Sequence, residues 1–388
     1  KRPDVLVNLP DGKTLIIDSK VSLTAYERYV NAEDDQTRDT ALKGHLQSLN
    51  QHISGLSAKN YQQLEGIEKA INVFRCGIWK PRTRPGYFEG VGEVGLGWLK
   101  TVKEETNMLT TTEVANAEHV ELALKYGVDI LWIGARTSVN PFSVQEIADS
   151  LKGVDIPVMI KNPINADLPL WMGAIERFEK AGLDKLIAIH RGFSSYEKTK
   201  FRNTPNWKIP IELKRRCPEL PIICDPSHIA GTRSLIEEVC QKAMDVDFDG
   251  LMVETHFDPS VALSDAAQQV TPDSLNQILT NIALRSKTSS DNDFEQNLEE
   301  LRAKINRIDS ELLEGLAQRM KVAGEIGSAK LQCNVQPLQL DRMNELMKNR
   351  IDSGVDLGLS EKFMKDLYET IHTESIKIQT DLMQKSKK

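Results

Sequence analysis

The sequence predicts a parallel β/α barrel followed by an all-helical unit, and three observations carry that reading. Seven short apolar runs each end on a group suited to holding an anion or a metal: VFRCGIWKPRT (73–83), MLTTTEV (108–114), ILWIGART (130–137), PVMIKNP (157–163), LIAIHRG (186–192), PIICDPSH (221–228) and DGLMVETH (249–256). Amphipathic stretches of helical period fill the gaps between them, which marks a repeated strand-then-helix unit. From Leu298 onward the apolar period is helical throughout. A closed barrel of this kind needs eight strands, so the first is read as missing or replaced.

Composition bounds the rest. A chain of 388 residues accommodates two or three domains. The net charge of −7 and pI near 5.7 give no global attraction to nucleic acid or to a membrane surface. Any anionic ligand must therefore be held by local basic residues. Cys76, Cys217, Cys224, Cys240 and Cys333 are scattered, with no CxxC pair, which fits a reducing cytoplasm. No stretch approaches the ~20 apolar residues of a membrane span, and no signal peptide is visible.

Four segments differ in character. Residues 1–67 open with a hairpin pattern, DVLVNLPDGKTLIIDSK, turning at Pro10, Asp11 and Gly12. Polar helix follows from about Val21. Residues 68–285 hold the repeated β/α units. Residues 286–297, beginning SKTSSDNDFEQ, are polar and read as a linker. In residues 298–388, Leu298, Leu301, Ile305, Ile308, Leu312 and Leu316 recur at three- and four-residue steps. A turn is expected near Asn334–Pro337, a second helix to about Asp352, and a third from Ser360 with Met364, Leu367, Ile371 and Ile378 on one stripe. The first helix is too long to bury its apolar face within three helices, so a second copy of the chain is expected to cover the remainder.

In a parallel barrel the carboxyl ends of the strands face one mouth, where the chemistry lies. Those ends offer Arg75, Lys80, Arg82, Arg136, Lys161, His190 and Arg191. Singly, such a cation is more often a surface ion-pair partner. Six in register would repel one another unless a polyanion neutralised them, which points to small phosphorylated and carboxylated ligands held by charge-assisted forks. The last strand ends supply His228, Glu254 and Asp265, an N/O donor set suited to Mn²⁺, Fe²⁺, Zn²⁺ or another divalent metal. Such a metal could polarise a carbonyl oxygen. The alternative is a histidine held by buried carboxylates.

The stretches FRCGIWKPRTRPG, IGARTSVNPF, IKNP, AIHRGFSSY, CDPSHIAGTR and ALSDAAQQVTPD closely resemble 3-deoxy-D-arabino-heptulosonate 7-phosphate (DAHP) synthase over about residues 68–285. The resemblance implies a TIM-type (β/α)8 barrel that condenses phosphoenolpyruvate with erythrose 4-phosphate, the entry to the shikimate pathway. It assigns Arg75, Lys80, Arg136, Lys161 and Arg191 to phosphoenolpyruvate, with Lys80 also catalytic. Arg82 and Thr83 fall to the phosphate of erythrose 4-phosphate, and His228, Glu254 and Asp265 to the metal. The family's first strand ends in a Gly-Pro-Cys-Ser motif whose cysteine is a fourth metal ligand, and this chain has no such motif. Impaired synthase activity is therefore expected.

Residues 298–384 resemble the all-α (AroQ-type) chorismate mutases. The family's contacts fall on Arg302, Arg319, Lys330, Arg342, Ser375 and Gln379, with Lys330 and Gln379 at the breaking ether oxygen. Helix geometry tests this independently. Arg319 and Lys330 are eleven residues apart, a net rotation of about 20°, so they share a face. Arg302 lies about 260° around from Arg319 and points elsewhere, as in the family's intertwined dimers, where this arginine serves the partner's site. Gln339 and Met343 stand where some members carry acidic groups near the substrate hydroxyl. The mutase reaction, chorismate to prephenate, needs no cofactor.

Residues 1–67 resemble the RmuC DNA recombination proteins, with Asp4, Asp18 and Lys20 matching a PD-(D/E)xK signature for Mg²⁺. A foreign fragment is therefore expected to precede the barrel. LIIDSK (15–20) could instead fill the vacant first-strand slot, but its long separation from the next strand argues against that. The reading is thus a bifunctional synthase–mutase acting on small molecules. The alternatives are a mutase with an inactive regulatory barrel, or a DNA-processing protein acting through residues 1–67.

Overall fold

Eight parallel strands close into a barrel in sequence order. This computed structural model describes residues 14–19 (backbone course only), 73–80, 86–196, 198–285 and 291–385, with isolated positions between 34 and 43. The chain divides into two units, Lys1–Ser286 and Lys287–Lys388.

The strands are β1 (Thr14–Ser19), β2 (Val73–Arg75), β3 (Leu109–Val114), β4 (Ile130–Ile133), β5 (Val158–Lys161), β6 (Leu186–His190), β7 (Ile222–Cys224) and β8 (Gly250–Thr255). Helices α1 (Glu93–Thr106), α2 (Ala117–Lys125), α3 (Pro141–Ser150), α4 (Leu168–Lys180), α5 (Lys208–Arg216), α6 (Pro226–Ala230), α7 (Ile236–Asp245) and α8 (Pro272–Asn281) alternate with them. Helix starts are written locally. Asn116, Asn140, Asp167, Asp225 and Thr271 each cap a helix by accepting from a backbone N–H of its first turn. Pro141, Pro226 and Pro272 follow three of these caps, where a missing N–H costs nothing.

The slot between β2 and β8 is filled by β1. All six of its residues, Thr14 to Ser19, pair with Gly250 to Thr255, and Ile17 and Asp18 pair with Phe74 and Arg75. The first strand is thus replaced by LIIDSK, the possibility that its long separation from the next strand had argued against. Connection length was a poor guide, because loop-closure cost rises only with the logarithm of length. Leaving two strand edges unpaired in the sheet costs more. Of the nuclease-like triad, Asp18 lies on β1, and Asp4 and Lys20 lie outside the described residues.

Strand alternation sorts side chains into two cores. Val73, Ile130, Trp132, Met159, Ile189, Ile223 and Met252 fill the barrel interior. Phe74, Leu131, Ile133, Val158, Ile160, Ala188, Ile222, Leu251 and Val253 face the helical layer, where Leu96, Val144, Trp171, Phe178 and Val239 cover them. Each large apolar side chain so buried contributes about 1.5–3 kcal/mol. The interior face is the one that continues upward into the charged mouth.

The second unit is three helices: α9 (Asn292–Gln332), α10 (Leu340–Asp356) and α11 (Glu361–Lys385). Helix α9 starts at Asn292, inside the expected linker, because Asp291 caps it by accepting from the amides of Asp293 and Phe294. It crosses α11 closely at Gly327, where a Cβ would sit 3.0 Å from the Gln379 Cα. On the N-terminal half of α9, Leu301, Ile305, Ile308 and Leu312 are exposed. Among the described residues no helix is long and apolar enough to cross a membrane.

Candidate active sites of the two units

The barrel mouth gathers the expected cations. Arg75, Lys80, Arg136, Lys161 and Arg191 line one cleft, together with Glu113, Trp132, Arg202, His228 and Asp265. Arg75 and Lys161 end their strands one alternation above the interior core. Both are buried and both lie over the Trp132 ring, at 4.3 and 4.5 Å from its centroid. A cation over an indole face is stabilised by the ring's quadrupole.

Carboxylates hold the cations in place. Lys161 Nζ is 2.7 Å from Asp225 Oδ2, with both side chains buried. The same Asp225 oxygen lies 2.8 Å from His228 Nδ1. Arg75 lies 3.8 Å from Glu254, and Lys80 3.6 Å from Asp265. Burial pushes the Lys161 ammonium down, and Asp225 opposes that shift. Burial alone would raise Asp225, but His228 and Lys161 outweigh it and hold the carboxyl well below the usual range. Burial likewise lowers His228 to about 4, so its imidazole is neutral at pH 7.

Backbone ties aim Arg191. Asn162 Oδ1 accepts from the Arg191 amide, while its Nδ2 donates to the carbonyls of Pro163 and Gly192. Asn203 Oδ1 accepts from the Arg191 guanidinium. Burial lowers Arg191 to about 10, which still leaves it charged at pH 7.

Two residues of this cleft escaped the sequence reading. Glu113, the penultimate residue of β3, lies on the interior face, and burial raises its carboxyl despite the opposing pull of Lys161, Arg75, Lys80 and Arg136. It fits only because Gly134 lacks a Cβ, which would fall 1.9 Å from Glu113 Oε1. Arg202 pairs with Asp265 at 3.1 Å and donates to Gln268. The run LTTTEV could have exposed Glu113 through its alternation. Arg202 sits in a loop without periodicity.

One expected mouth residue faces the other way. His190 ends β6, but alternation turns it outward with Ala188, and it packs among Trp171, Phe193, Trp207 and Phe248. It is fully buried, and among the described residues the Pro205 carbonyl offers its ring only a weak hydrogen bond. Arg82 and Thr83 lie outside the described residues.

The three expected metal ligands share the mouth without forming a coordination group. The Asp225 carboxylate orients a neutral His228, as a ligand histidine requires. Yet Glu254 approaches that same Nδ1, at 3.9 Å, and Asp265 is taken up by Lys80 and Arg202. Among the described residues no three His, Cys, Asp or Glu side chains are placed to hold a metal ion. The arrangement therefore does not fit a divalent metal.

In the second unit, Arg319, Lys330, Arg342, Ser375 and Gln379 line one cleft together with Gln339, Met343 and His372. The shared face expected for Arg319 and Lys330 is thus observed. Arg319 donates to Ser375 Oγ at 2.6 Å, and Ser375 in turn donates to the Ile371 carbonyl. Lys330 donates to the Pro337 carbonyl at 2.6 Å, which anchors its ammonium at the turn before α10. Arg302 is outside this cleft, exposed and paired with Glu299.

Residues 301–380 match the chorismate mutase type II family and residues 1–74 the RmuC family. The phospho-2-dehydro-3-deoxyheptonate aldolase of Thermotoga maritima is 33% identical over 203 residues, covering 52% of this chain and 58% of that protein. The DNA recombination protein RmuC of Escherichia coli is 56% identical over 66 residues, 17% of this chain and 14% of that protein. The chain thus spans little more than half of the first relative and a small part of the second. A crystal structure of the Thermotoga maritima aldolase superposes with a TM-score of 0.52 at 25% identity, covering 72% of each chain. With residues 56–288 matching its family model, a stretch that includes β2 to β8 and their charged mouth, the chain belongs to the DAHP synthetase I family.

Proposed function

We propose that the chain rearranges chorismate to prephenate in its helical unit, and that its barrel binds phosphoenolpyruvate and condenses it with erythrose 4-phosphate at a much reduced rate. The observation that carries this reading is that each unit brings several of the expected cations into one cleft (Arg75, Lys80, Arg136, Lys161 and Arg191 in the barrel; Arg319, Lys330 and Arg342 in the helical unit), while among the described residues the barrel's metal-ligand set is unassembled.

In the helical unit Arg319, Lys330 and Arg342 supply positive charge for two carboxylates, and Ser375 fixes the angle of Arg319. Pulling both carboxylates inward selects the compact conformer from which the rearrangement proceeds. Lys330 and the Gln379 amide then stabilise charge growing on the ether oxygen. The exposed apolar stripe on α9 suits a second copy of the chain, which would bring its Arg302 to this site.

In the barrel Arg75, Lys161, Arg136 and Arg191 supply the charge for a phosphate and a carboxylate. Lys80 is the proton donor available to the alkoxide formed as the new C–C bond closes. The missing cysteine ligand and the ion-paired Asp265 leave aldehyde activation weak.

Chorismate loss and DAHP formation, measured side by side on the full chain with added Mn²⁺, test both halves. We expect mutase turnover, with synthase turnover slower by about two orders of magnitude or more, the scale of losing one electrostatic stabiliser. An inactive mutase, or synthase turnover in the ordinary range of about 1–10³ s⁻¹, would overturn the reading.

A further inference from the structure

We propose that His372 is a substrate-positioning residue of the helical unit, its imidazole hydrogen-bonding the ligand's ring hydroxyl. This inference deepens the mutase reading and rests on it. His372 lies on α11 one turn before Ser375 and two before Gln379, so the three share one face. All three line the same cleft.

The assignment follows from matching donors to acceptors. The ligand presents two carboxylates, an ether oxygen and one hydroxyl. Arg319, Lys330 and Arg342 answer the carboxylates, and Lys330 with the Gln379 amide answers the ether oxygen. Among the described residues no Asp or Glu lines the cleft, so none of their carboxylates is available to the hydroxyl. Ser375 Oγ is engaged with Arg319 and the Ile371 carbonyl. Gln339 is exposed and would have to be immobilised. His372 Nε2, in contrast, is already buried and has no hydrogen-bond partner among the described residues; Gln379 Oε1 is alike in this, but its amide already answers the ether oxygen.

A buried polar atom without a partner is costly unless a ligand satisfies it. The charge state suits the role. Burial, then Arg319 and Lys330, push the imidazole down from its ordinary range, which keeps it neutral at pH 7. A neutral ring protonated at Nδ1 leaves Nε2 free to accept from an O–H. The surrounding Val322, Ala323, Ile326 and Ile376 offer nothing else polar.

The test uses the full chain and two probes, a bicyclic ether dicarboxylate mimicking the compact conformer, made with and without its hydroxyl. His372→Leu should weaken the hydroxylated probe about five- to tenfold, the worth of one hydrogen bond. The probe lacking the hydroxyl should bind both proteins equally. For chorismate, KM should rise by the same factor with kcat changed less than about twofold, as expected for loss of uniform binding. His372→Gln, which keeps an acceptor at a similar reach, should recover most of the loss.

Equal weakening of both probes would reduce His372 to packing and overturn the inference. Unchanged affinity in the Leu variant, or no recovery by Gln, would do the same. If the unsubstituted chain bound neither probe, the mutase reading itself would fall, a result distinct from the other three.

Discussion

Replacing His190 by Phe should make the barrel more resistant to acid by a calculable amount. The ring is fully buried in an aromatic cage, with only a weak hydrogen bond to the Pro205 carbonyl. Burial, and secondly the positive charge of Arg191, lower it from 6.5 to about 3, and Pro205 and Asp225 pull it back only in part. In the unfolded chain the same ring titrates near 6.5. Between these values the unfolded state binds the extra proton, so stability is fully present above pH 6.5 and is lost as pH falls toward 3.

Between pH 7 and pH 4.5 that loss is about 2.5 kcal/mol, at 1.36 kcal/mol per pH unit. Phe cannot titrate and keeps the ring contacts. At pH 7 the substitution should be nearly neutral, since removing the poorly satisfied ring nitrogens (a gain of about 1–3 kcal/mol) is offset by crowding from a larger ring (about 1–3 kcal/mol). The gain at pH 4.5 relative to pH 7 is independent of that packing balance.

Trp79, Trp98, Trp132, Trp171 and Trp207 are the chain's five tryptophans, and all lie in the barrel unit. Urea unfolding followed by tryptophan fluorescence at the two pH values therefore reports the barrel alone. Other titrating groups, including His228, are common to both proteins and cancel in the difference. If wild type and variant lose the same stability on acidification, within about 0.5 kcal/mol, the His190 ring is not a poorly satisfied neutral group and the argument is wrong.

Two further substitutions probe the barrel. Ile16→Pro in β1 removes a ladder hydrogen bond from a strand with partners on both sides and should cost about 3 kcal/mol or more by the same fluorescence assay; an unchanged midpoint would show that β1 is not needed in the sheet. Lys161→Met breaks the buried pair with Asp225 and should destabilise by about 3–5 kcal/mol, while lowering phosphoenolpyruvate affinity in calorimetry; retention of both stability and affinity would remove Lys161 from the site.

Much of the site was legible because its signals are local. Arg75 and Lys161 follow apolar runs of period two, and alternation alone places them above the interior core. The same rule, applied to LIAIHRG, separates His190 from Arg191 by face; treating both as mouth residues ignored that step. Glu113 was hidden because a carboxylate at a strand end looks like any exposed acid until four cations surround it. His372 was hidden because only the assembled cleft shows that its Nε2 lacks a partner.

The sequence by itself determined the repeating β/α order, the helix caps, the cations at the strand ends and the common face of Arg319 and Lys330. All of these follow from backbone period and from side chains a few residues apart. Only the tertiary structure decided which segment completes the barrel, because strand pairing is a non-local contact whose connecting length carries little free energy. It also decided which carboxylate neutralises which cation. That choice depends on separations of a few ångströms between residues far apart in the chain, where Coulomb energy falls with distance and grows with burial.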